Sequence, residues 1–488
     1  MKAIMIQGTM SNVGKSLLTA ALCRIFRQDG FSTAPFKSQN MALNSFITPD
    51  GCEIGRAQAL QAEAAGIEPS ALMNPILLKP TTDIGSQVIV NGQVRANMRA
   101  AEYFKYKPQL IPEILSAFHA LSEQYDIVVI EGAGSPVELN LKKDDIVNMG
   151  LAQMLKVPVL LAGDIDRGGI FAQLLGTLDL LEPSERHLVR GLIVNQFRGD
   201  AALFRDGIDI LSEKSGLPVL GVIPHINHHL EDEDSLSQKL NQSHKTGIID
   251  IAVIHLPKIS NFTDFDVFTQ YSGVSVRYVN SPELLGNPDL LIIPGSKSTI
   301  ADMRWMQDSG MADAVRALAA RGFPIFGICG GYQILGTEIA DPENTECGGT
   351  IAGLGFLPCK TCFSSRKYQS QDTGKIRQLS GFFSCISGAE YEGYEVHMGN
   401  TESDAPTLTE TGGSILGQIA GCYVHGFFDR AEISGAVVKA LYQAKGLPKP
   451  SSAVDRRKAR EAELDMLADT VRAHLDLSKI YQIMEQGI

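Results

Sequence analysis

Two short segments set reactive side chains at the ends of apolar runs. The first is Gly8-Thr9-Met10-Ser11-Asn12-Val13-Gly14-Lys15-Ser16, which follows the strand-like run Lys2 to Gln7 and precedes a helix-like run from Leu17 to Arg27. Glycines let backbone N–H groups turn inward on a phosphate, a helix N-terminus favours an anion, a lysine reaches the β/γ oxygens and a serine hydroxyl ligates Mg²⁺. Gly8, Thr9, Val13, Gly14, Lys15 and Ser16 are therefore the expected ATP-binding residues, with Ser16 also a metal ligand. Asp126 to Ile130 is a second apolar run; it ends in Glu131 and then Gly132-Ala133-Gly134. A carboxylate at the C-terminal edge of a strand is where such a fold holds Mg²⁺, which makes Glu131 the other expected ligand and Asp164 and Asp166 weaker candidates.

The second segment is Phe326-Gly327-Ile328-Cys329-Gly330-Gly331. Gly-x-Cys-x-Gly is the cysteine version of a nucleophile elbow, in which small neighbours permit a sharp turn that exposes the side chain, and the helix expected after it favours the thiolate. A thiolate nucleophile needs a proton carrier, and His425 in Gly421-Cys422-Tyr423-Val424-His425-Gly426 is the candidate general base. A chance glycine-rich turn and a buried structural thiol are the plainer readings, but neither calls for the flanking elements found at both places.

These groups need scaffolds. β-rich runs at Lys2 to Gln7, Asp126 to Ile130, Pro158 to Ala162, Gly191 to Asn195 and Pro218 to Ile223 alternate with helix-length segments, the pattern of a mainly parallel sheet with covering helices. A polar stretch, residues 227–247, reads as a linker. The β-rich pattern then restarts at Ile249 to His255, Asp289 to Ile293 and Pro324 to Ile328, with Ala312 to Ala320 as a helical spacer. The organisation expected is an α/β synthetase domain over 1–226, the linker, a second α/β domain over 248–445 and a C-terminal helical segment over 446–488. In that last segment Leu464, Leu467, Val471 and Leu475 recur at helical spacing, predicting a terminal helix docked on the second domain.

Composition bounds the function. The 488 residues exceed one core, the 44% apolar fraction is ordinary for globular protein, and a net charge of −12 argues against a broad grip on nucleic acid or anionic lipid. The apolar run Ala3 to Ile6 is too short for a signal sequence or a membrane span, so a cytoplasmic location is expected. Eight spread cysteines predict free thiols, and the Cys359/Cys362 pair lacks the further ligands a zinc site needs.

Gly8 and Gly14 bracket five residues, one more than the standard phosphate loop, and this longer loop ending in Val13-Gly14-Lys15-Ser16 resembles that of the dethiobiotin synthetase-like P-loop enzymes. In such enzymes the place of Asn195 reads the nucleotide base. The Cys329 elbow and His425 together resemble class I glutamine amidotransferases, whose flavodoxin-like domain releases ammonia through a glutamyl thioester. By that analogy Pro294-Gly295-Ser296 contributes an oxyanion-binding N–H at Gly295, partnered by the N–H of Gly330. Many members carry a Glu two residues after the His. This chain has Phe427 there, which leaves Asp429 and Glu395 as candidates for orienting the ring.

An ATP site and an ammonia source in one chain imply carboxylate activation by phosphoryl transfer followed by amide formation. Ala34 to Met41, Glu53 to Gln58, Asn74 to Pro80 and Gly393 to His397 further resemble the cobyric acid synthase family of cobalamin-biosynthesis amidotransferases, over nearly the whole chain. That resemblance implies ATP and Mg²⁺ as cofactors, and L-glutamine and a corrinoid polycarboxylate as substrates. The b, d, e and g carboxylates of adenosylcobyrinate a,c-diamide would be amidated. Gln39, Asn40, Asn44, Gln87 and Asn140 are residue types able to hydrogen-bond a corrin rim. Two alternatives stand beside this one: the sister a,c-diamide synthase, and a nucleotide-switch ATPase with an inert amidotransferase-like domain.

Overall fold

The computed structural model describes residues 2–82, 85–228, 230, 244–448 and 456–488. Of the expected linker, residues 229 and 231–243 lie outside the described residues.

The first half is built on a six-stranded sheet in the order Val219–Pro224, Val189–Phe197, Val159–Asp164, Lys2–Gly8, Ile127–Glu131, Thr33–Phe36, parallel throughout. Lys2–Gly8 runs along the middle, buried among near-continuous aliphatic neighbours, as parallel strands covered on both faces require. Its register sets Ile6 beside Glu131 and Gly8 beside Ala162, which brings the phosphate loop and the candidate carboxylates to one sheet edge. Between Thr33–Phe36 and Ile127–Glu131 the chain inserts a four-stranded sheet, Gln39–Met41, Ile76–Thr82, Gly85–Val90 and Gln93–Arg99, followed by the helices Ala100–Tyr106 and Ile111–Gln124.

The second half carries another six-stranded sheet: Val274–Val279, Ile249–Ile254, Leu290–Ile293, Ile325–Ile328, Ile419–Cys422 and Ser414–Leu416. The first five strands are parallel and follow the flavodoxin-like order; the last pairs antiparallel. A two-stranded ribbon, Ile259–Ser260 with Gly295–Ser296, flanks the sheet edge. A long hairpin, Cys359–Lys375 with Glu390–Ser403, breaks register between Phe363 and Tyr368.

The C-terminal segment corrects one expectation. Arg456–His474 and Leu477–Gln486 dock on the first domain, not the second: Leu464, Leu467, Val471 and Leu475 share a core with Ile4, Leu18, Leu22 and Ile25. Periodicity showed the apolar face but not its partner, which the charges define. Arg24 meets Glu461 at 2.7 Å and Asp465 at 2.8 Å, and Arg472 meets Asp29 at 2.8 Å.

The two halves meet where the long hairpin packs on the first domain, through buried polar contacts beside a small apolar cluster of Ile47, Tyr394 and Val396. Glu53, 0% exposed, accepts Lys79 of its own domain at 2.8 Å and also pairs with Lys367, which emerges at the hairpin's register break. Tyr394 Oη donates to Ser45 O at 2.8 Å, and Gln369 Nε2 donates to Gly51 O at 3.0 Å.

Candidate active sites

The phosphate loop is held from below. Gly14 lies at φ 92° as the N-cap of the helix Lys15–Gln28, and a Cβ there would come within 2.4 Å of Asn195 Nδ2, so both the dihedral and the space call for glycine. Asn195 Nδ2 donates to Val13 O at 2.7 Å, bracing the loop on its inner side. Val13 is buried against Gly8, and Thr9 Oγ1 donates to Gln173 Oε1 at 3.1 Å. Lys15 Nζ arches over the loop to Met10 O at 2.9 Å and Gly134 O at 3.0 Å. Ser16 Oγ donates to Glu131 Oε1 at 2.8 Å, so the two expected metal ligands are in contact. Glu131 also accepts Lys37 Nζ at 2.9 Å and Gln61 Nε2 at 2.6 Å, two residues whose part in fixing this carboxylate the sequence did not reveal. The oxygen donors suit Mg²⁺, which takes one or two protein oxygens and completes its shell with phosphate and water. Asp164 lies at the same edge, tied to Arg167 at 3.2 Å, whereas Asp166 turns aside to Arg198 at 2.9 Å.

Cys329 ends Ile325–Ile328 at φ 50° and ψ −108°, a strained conformation for a residue with a Cβ. The turn is tight enough that a Cβ on Gly331 would lie 1.9 Å from Ile293 O. Cys329 Sγ donates to Val396 O at 3.7 Å and lines one cleft with His425, whose Nδ1 bonds Asp264 Oδ2 at 2.7 Å. Asp264 Oδ1 also accepts the Gly426 N–H at 3.2 Å. Burial alone would lower the imidazole, but the Asp264 charge and hydrogen bond, with the Cys329 sulfur, outweigh it and push His425 up to about 10. The orienting carboxylate is therefore Asp264, in the turn Phe262–Phe265, and neither Asp429 nor Glu395; the latter bonds His397 Nε2 at 3.2 Å. Nothing in spacing could have marked Asp264, since 161 positions separate it from His425. Gly295 lies beside the His425 ring, a Cβ there falling 3.1 Å from His425 Cε1, and Gly330, next in the chain after Cys329, packs on the same ribbon strand, a Cβ there falling 2.7 Å from Ser296 N. The cleft beside Cys329, about 50 Å³, is also lined by Lys297 and Glu346. Burial, with Lys367 and Lys79 nearby, pushes the Lys297 ammonium down, and burial pushes the Glu346 carboxyl up despite Lys297.

Family models match both halves: a CobQ/CobB/MinD/ParA nucleotide binding domain over residues 4–235 and a CobB/CobQ-like glutamine amidotransferase domain over 250–433. A cobyric acid synthase of Lachnoclostridium phytofermentans is 50% identical over 100% of this chain and 100% of its own. Those of Dehalococcoides mccartyi and Klebsiella pneumoniae are each 49% identical, over 100% and 99% of this chain and 99% and 98% of theirs. The chain belongs to the cobyric acid synthase family.

In this family member the residues expected to meet a corrin rim do not converge. Gln39 lines a cavity of about 600 Å³ on the first domain and accepts a hydrogen bond from Tyr103 Oη. Asn40 is buried, with Nδ2 donating to Gln58 Oε1 at 3.0 Å, and Asn44 is buried where its carbonyl accepts Arg56 N at 3.3 Å. Gln87 Oε1 accepts both Lys297 and Lys367 at 3.2 Å, beside the thiol cleft. Asn140 is exposed in the turn Leu139–Leu141, outside the cavity lining. Asparagine and glutamine serve interior hydrogen bonds as readily as ligands, and residue type alone does not separate the two uses. The eight cysteines are free, Cys359 buried and Cys362 exposed on one strand. Among the described residues no helix is long and apolar enough to cross a membrane.

Proposed function

We propose that this chain converts adenosylcobyrinate a,c-diamide to cobyric acid by amidating its b, d, e and g carboxylates, consuming one glutamine and one ATP at each. The observation that carries this reading is the pairing, across one buried polar interface, of a phosphate loop with a Cys329–His425–Asp264 site, in a chain whose full-length relatives are named cobyric acid synthases.

At the glutaminase site Cys329 Sγ attacks the γ-amide carbon, the N–H groups of Gly295 and Gly330 receive the oxyanion, and His425 hands its proton to the departing ammonia. Water then releases glutamate from the thioester with His425 as base, while Asp264 keeps the ring in one tautomer. Lys297 and Glu346 line the same cleft and offer hydrogen-bonding groups to the α-carboxylate and α-amino ends of glutamine.

At the synthetase site Gly8, Thr9, Val13 and Gly14 cradle the phosphates, Asn195 braces the loop, and Lys15 bridges the transferred phosphoryl group as a carboxylate attacks it. Ser16 and Glu131 would hold Mg²⁺, which would supply neutralisation of phosphate charge when bound. Ammonia then attacks the acyl phosphate, giving the amide and inorganic phosphate.

Incubation with ATP, glutamine and adenosylcobyrinate a,c-diamide tests the assignment by mass analysis. Four successive carboxyl-to-amide conversions are expected. An a,c-diamide left unchanged, beside conversion of the a and c carboxylates in a parallel incubation with cobyrinate, would identify the sister ligase instead, and ATP hydrolysis without amide product from either corrinoid would return the chain to the nucleotide-switch class.

A further inference from the structure

The cavity on the first domain has no role in glutamine hydrolysis or in holding the phosphates, yet it adjoins the phosphate loop. Its floor is Ala133 to Ser135, and the carbonyl of Gly134 within that segment accepts Lys15 Nζ at 3.0 Å. Asn148 fixes the segment by donating to Ala133 O at 2.6 Å and to Ser135 O at 3.2 Å. A substrate held here lies against the backbone segment that Lys15 touches, on the side from which one of its carboxylates can reach toward the transferring phosphate.

The walls describe the acceptor's chemistry. Met41, Phe104 and Leu141, 60%, 41% and 45% exposed, all line this one cavity, whereas large apolar side chains exposed singly would need no explanation. Its volume of about 600 Å³ fits one edge of a large macrocycle. Lys107, only 7% exposed, sits with Nζ 5.7 Å from the Phe104 ring centroid; burial lowers its ammonium, against the pull of Asp145 and Asp144. Lys142, paired with Glu185 at 2.6 Å, and the acids Glu138 and Asp145 share the lining, so the wall alternates cations with carboxylates. A rim that mixes carboxylates with carboxamides is complementary to such a wall.

One lining residue comes from the other domain. Lys258 precedes the ribbon strand Ile259–Ser260, and its backbone is pinned on both sides: its N–H donates to both Asp302 oxygens at 3.2 Å, and its carbonyl accepts Lys297 N at 2.9 Å. The opposite ribbon strand carries Gly295.

We propose that this cavity is the acceptor site, that it holds one edge of the corrinoid through its apolar wall, and that Lys107 and Lys258 meet side-chain carboxylates there, so that the glutaminase domain supplies part of the synthetase's substrate-binding surface. The proposal rests on the corrinoid amidation proposed above and adds where the substrate sits.

The test uses the full chain and adenosylcobyrinate a,c-diamide as the probe. Equilibrium dialysis followed by the corrinoid's visible absorbance gives its Kd, and amidation driven by ammonium, which bypasses Cys329, gives KM and kcat for the corrinoid. Lys258→Met keeps the aliphatic stem and removes the charge; it should raise the corrinoid's KM and Kd by about tenfold or more, with kcat changed far less, and Lys258→Arg should restore most of the loss. Ala100→Phe, at an exposed position on the cavity lining, should obstruct corrinoid binding while the chain still binds ATP. Unaltered corrinoid Kd in both Lys258→Met and Ala100→Phe, with the unmodified chain amidating normally, would overturn this placement and leave the function standing. Failure of the unmodified chain to bind or amidate the corrinoid would instead remove the functional reading on which the placement rests.

Discussion

At the scale of single residues, the two chemistries should separate by substitution. Lys15→Ala should abolish ATP-dependent amidation in product assays at saturating ATP, because no methyl group bridges a transferring phosphate. Cys329→Ser should lose glutamine-driven amidation yet retain amidation with added ammonium at mildly alkaline pH; loss of both nitrogen sources would mean that Cys329 is structural or that the domains cannot act separately. Asp264→Asn should lower glutamine-driven kcat by about 10²–10⁴-fold, since an amide can donate to Nδ1 and favour the wrong tautomer, while ammonium-driven turnover persists. The same pair sets a pH dependence of stability. His425 stands at about 10 in the folded chain against an ordinary value near 6.5, so its contribution is fully present below about 6.5 and is lost as pH rises through about 10. Denaturant midpoints should therefore decline over that alkaline range, and less steeply in Asp264→Asn. Lys15, Ser16 and Cys329 can be proposed from the sequence because a phosphate loop and an elbow are local in it; His425 is proposed from farther along the chain, and the fold sets it in the cleft of Cys329. Asp264, Lys37 and Gln61 act through contacts made only by folding, and no spacing announces them.

At the scale of elements, the amphipathic C-terminal helix shows what periodicity conveys. Its apolar stripe from Leu464 to Leu475 points to a helix within 446–488, and one spans Arg456–His474, but any complementary surface would have satisfied that stripe; the one it covers is the helix Lys15–Gln28, beside the phosphate loop. Leu467→Ala should cost about 2–5 kcal/mol, the usual range for truncating a buried leucine, and the loss should appear as a lower unfolding midpoint of the ATP-binding half with glutaminase activity preserved. An equal loss in both halves would mean that the domains unfold as one unit. The strand Thr33–Phe36 escaped the sequence reading for another reason. It has four residues and contains Pro35, a residue that weakens a strand pattern but is tolerated where this strand lies, at the edge of its sheet.

At the scale of the whole molecule, the glutaminase is fastened to the synthetase through Glu53, held by Lys79 from one side and Lys367 from the other. Burial opposes the Glu53 charge, but the two ammonium groups outweigh it and hold the carboxyl well below its usual range. Glu53→Gln leaves two buried lysines without their anion, a change of the kind that costs about 3–5 kcal/mol. The expected consequence is uncoupling: more glutamine hydrolysed per amide formed, measured as glutamate against corrinoid product. A ratio unchanged from the parent chain would show that the pair holds the domains together without governing ammonia delivery.

The placement of the last helix also governs how the chain is made. Leu477–Gln486 lies against the central strand Lys2–Gly8, with Lys2 and Glu485 in contact at 2.9 Å, so segments far apart in the chain, on either side of the glutaminase, complete one core. During translation the synthetase half emerges first, yet the helices that cover Ile4, Leu18 and Ile25 are not available until the glutaminase has been synthesised, a wait on the order of ten seconds or more at roughly 5–20 residues per second. Through that interval the nascent chain carries an apolar face of the kind that molecular chaperones bind. A stop codon even slightly before residue 456 would leave that face permanently bare, with every phosphate-loop and glutaminase residue already in the chain.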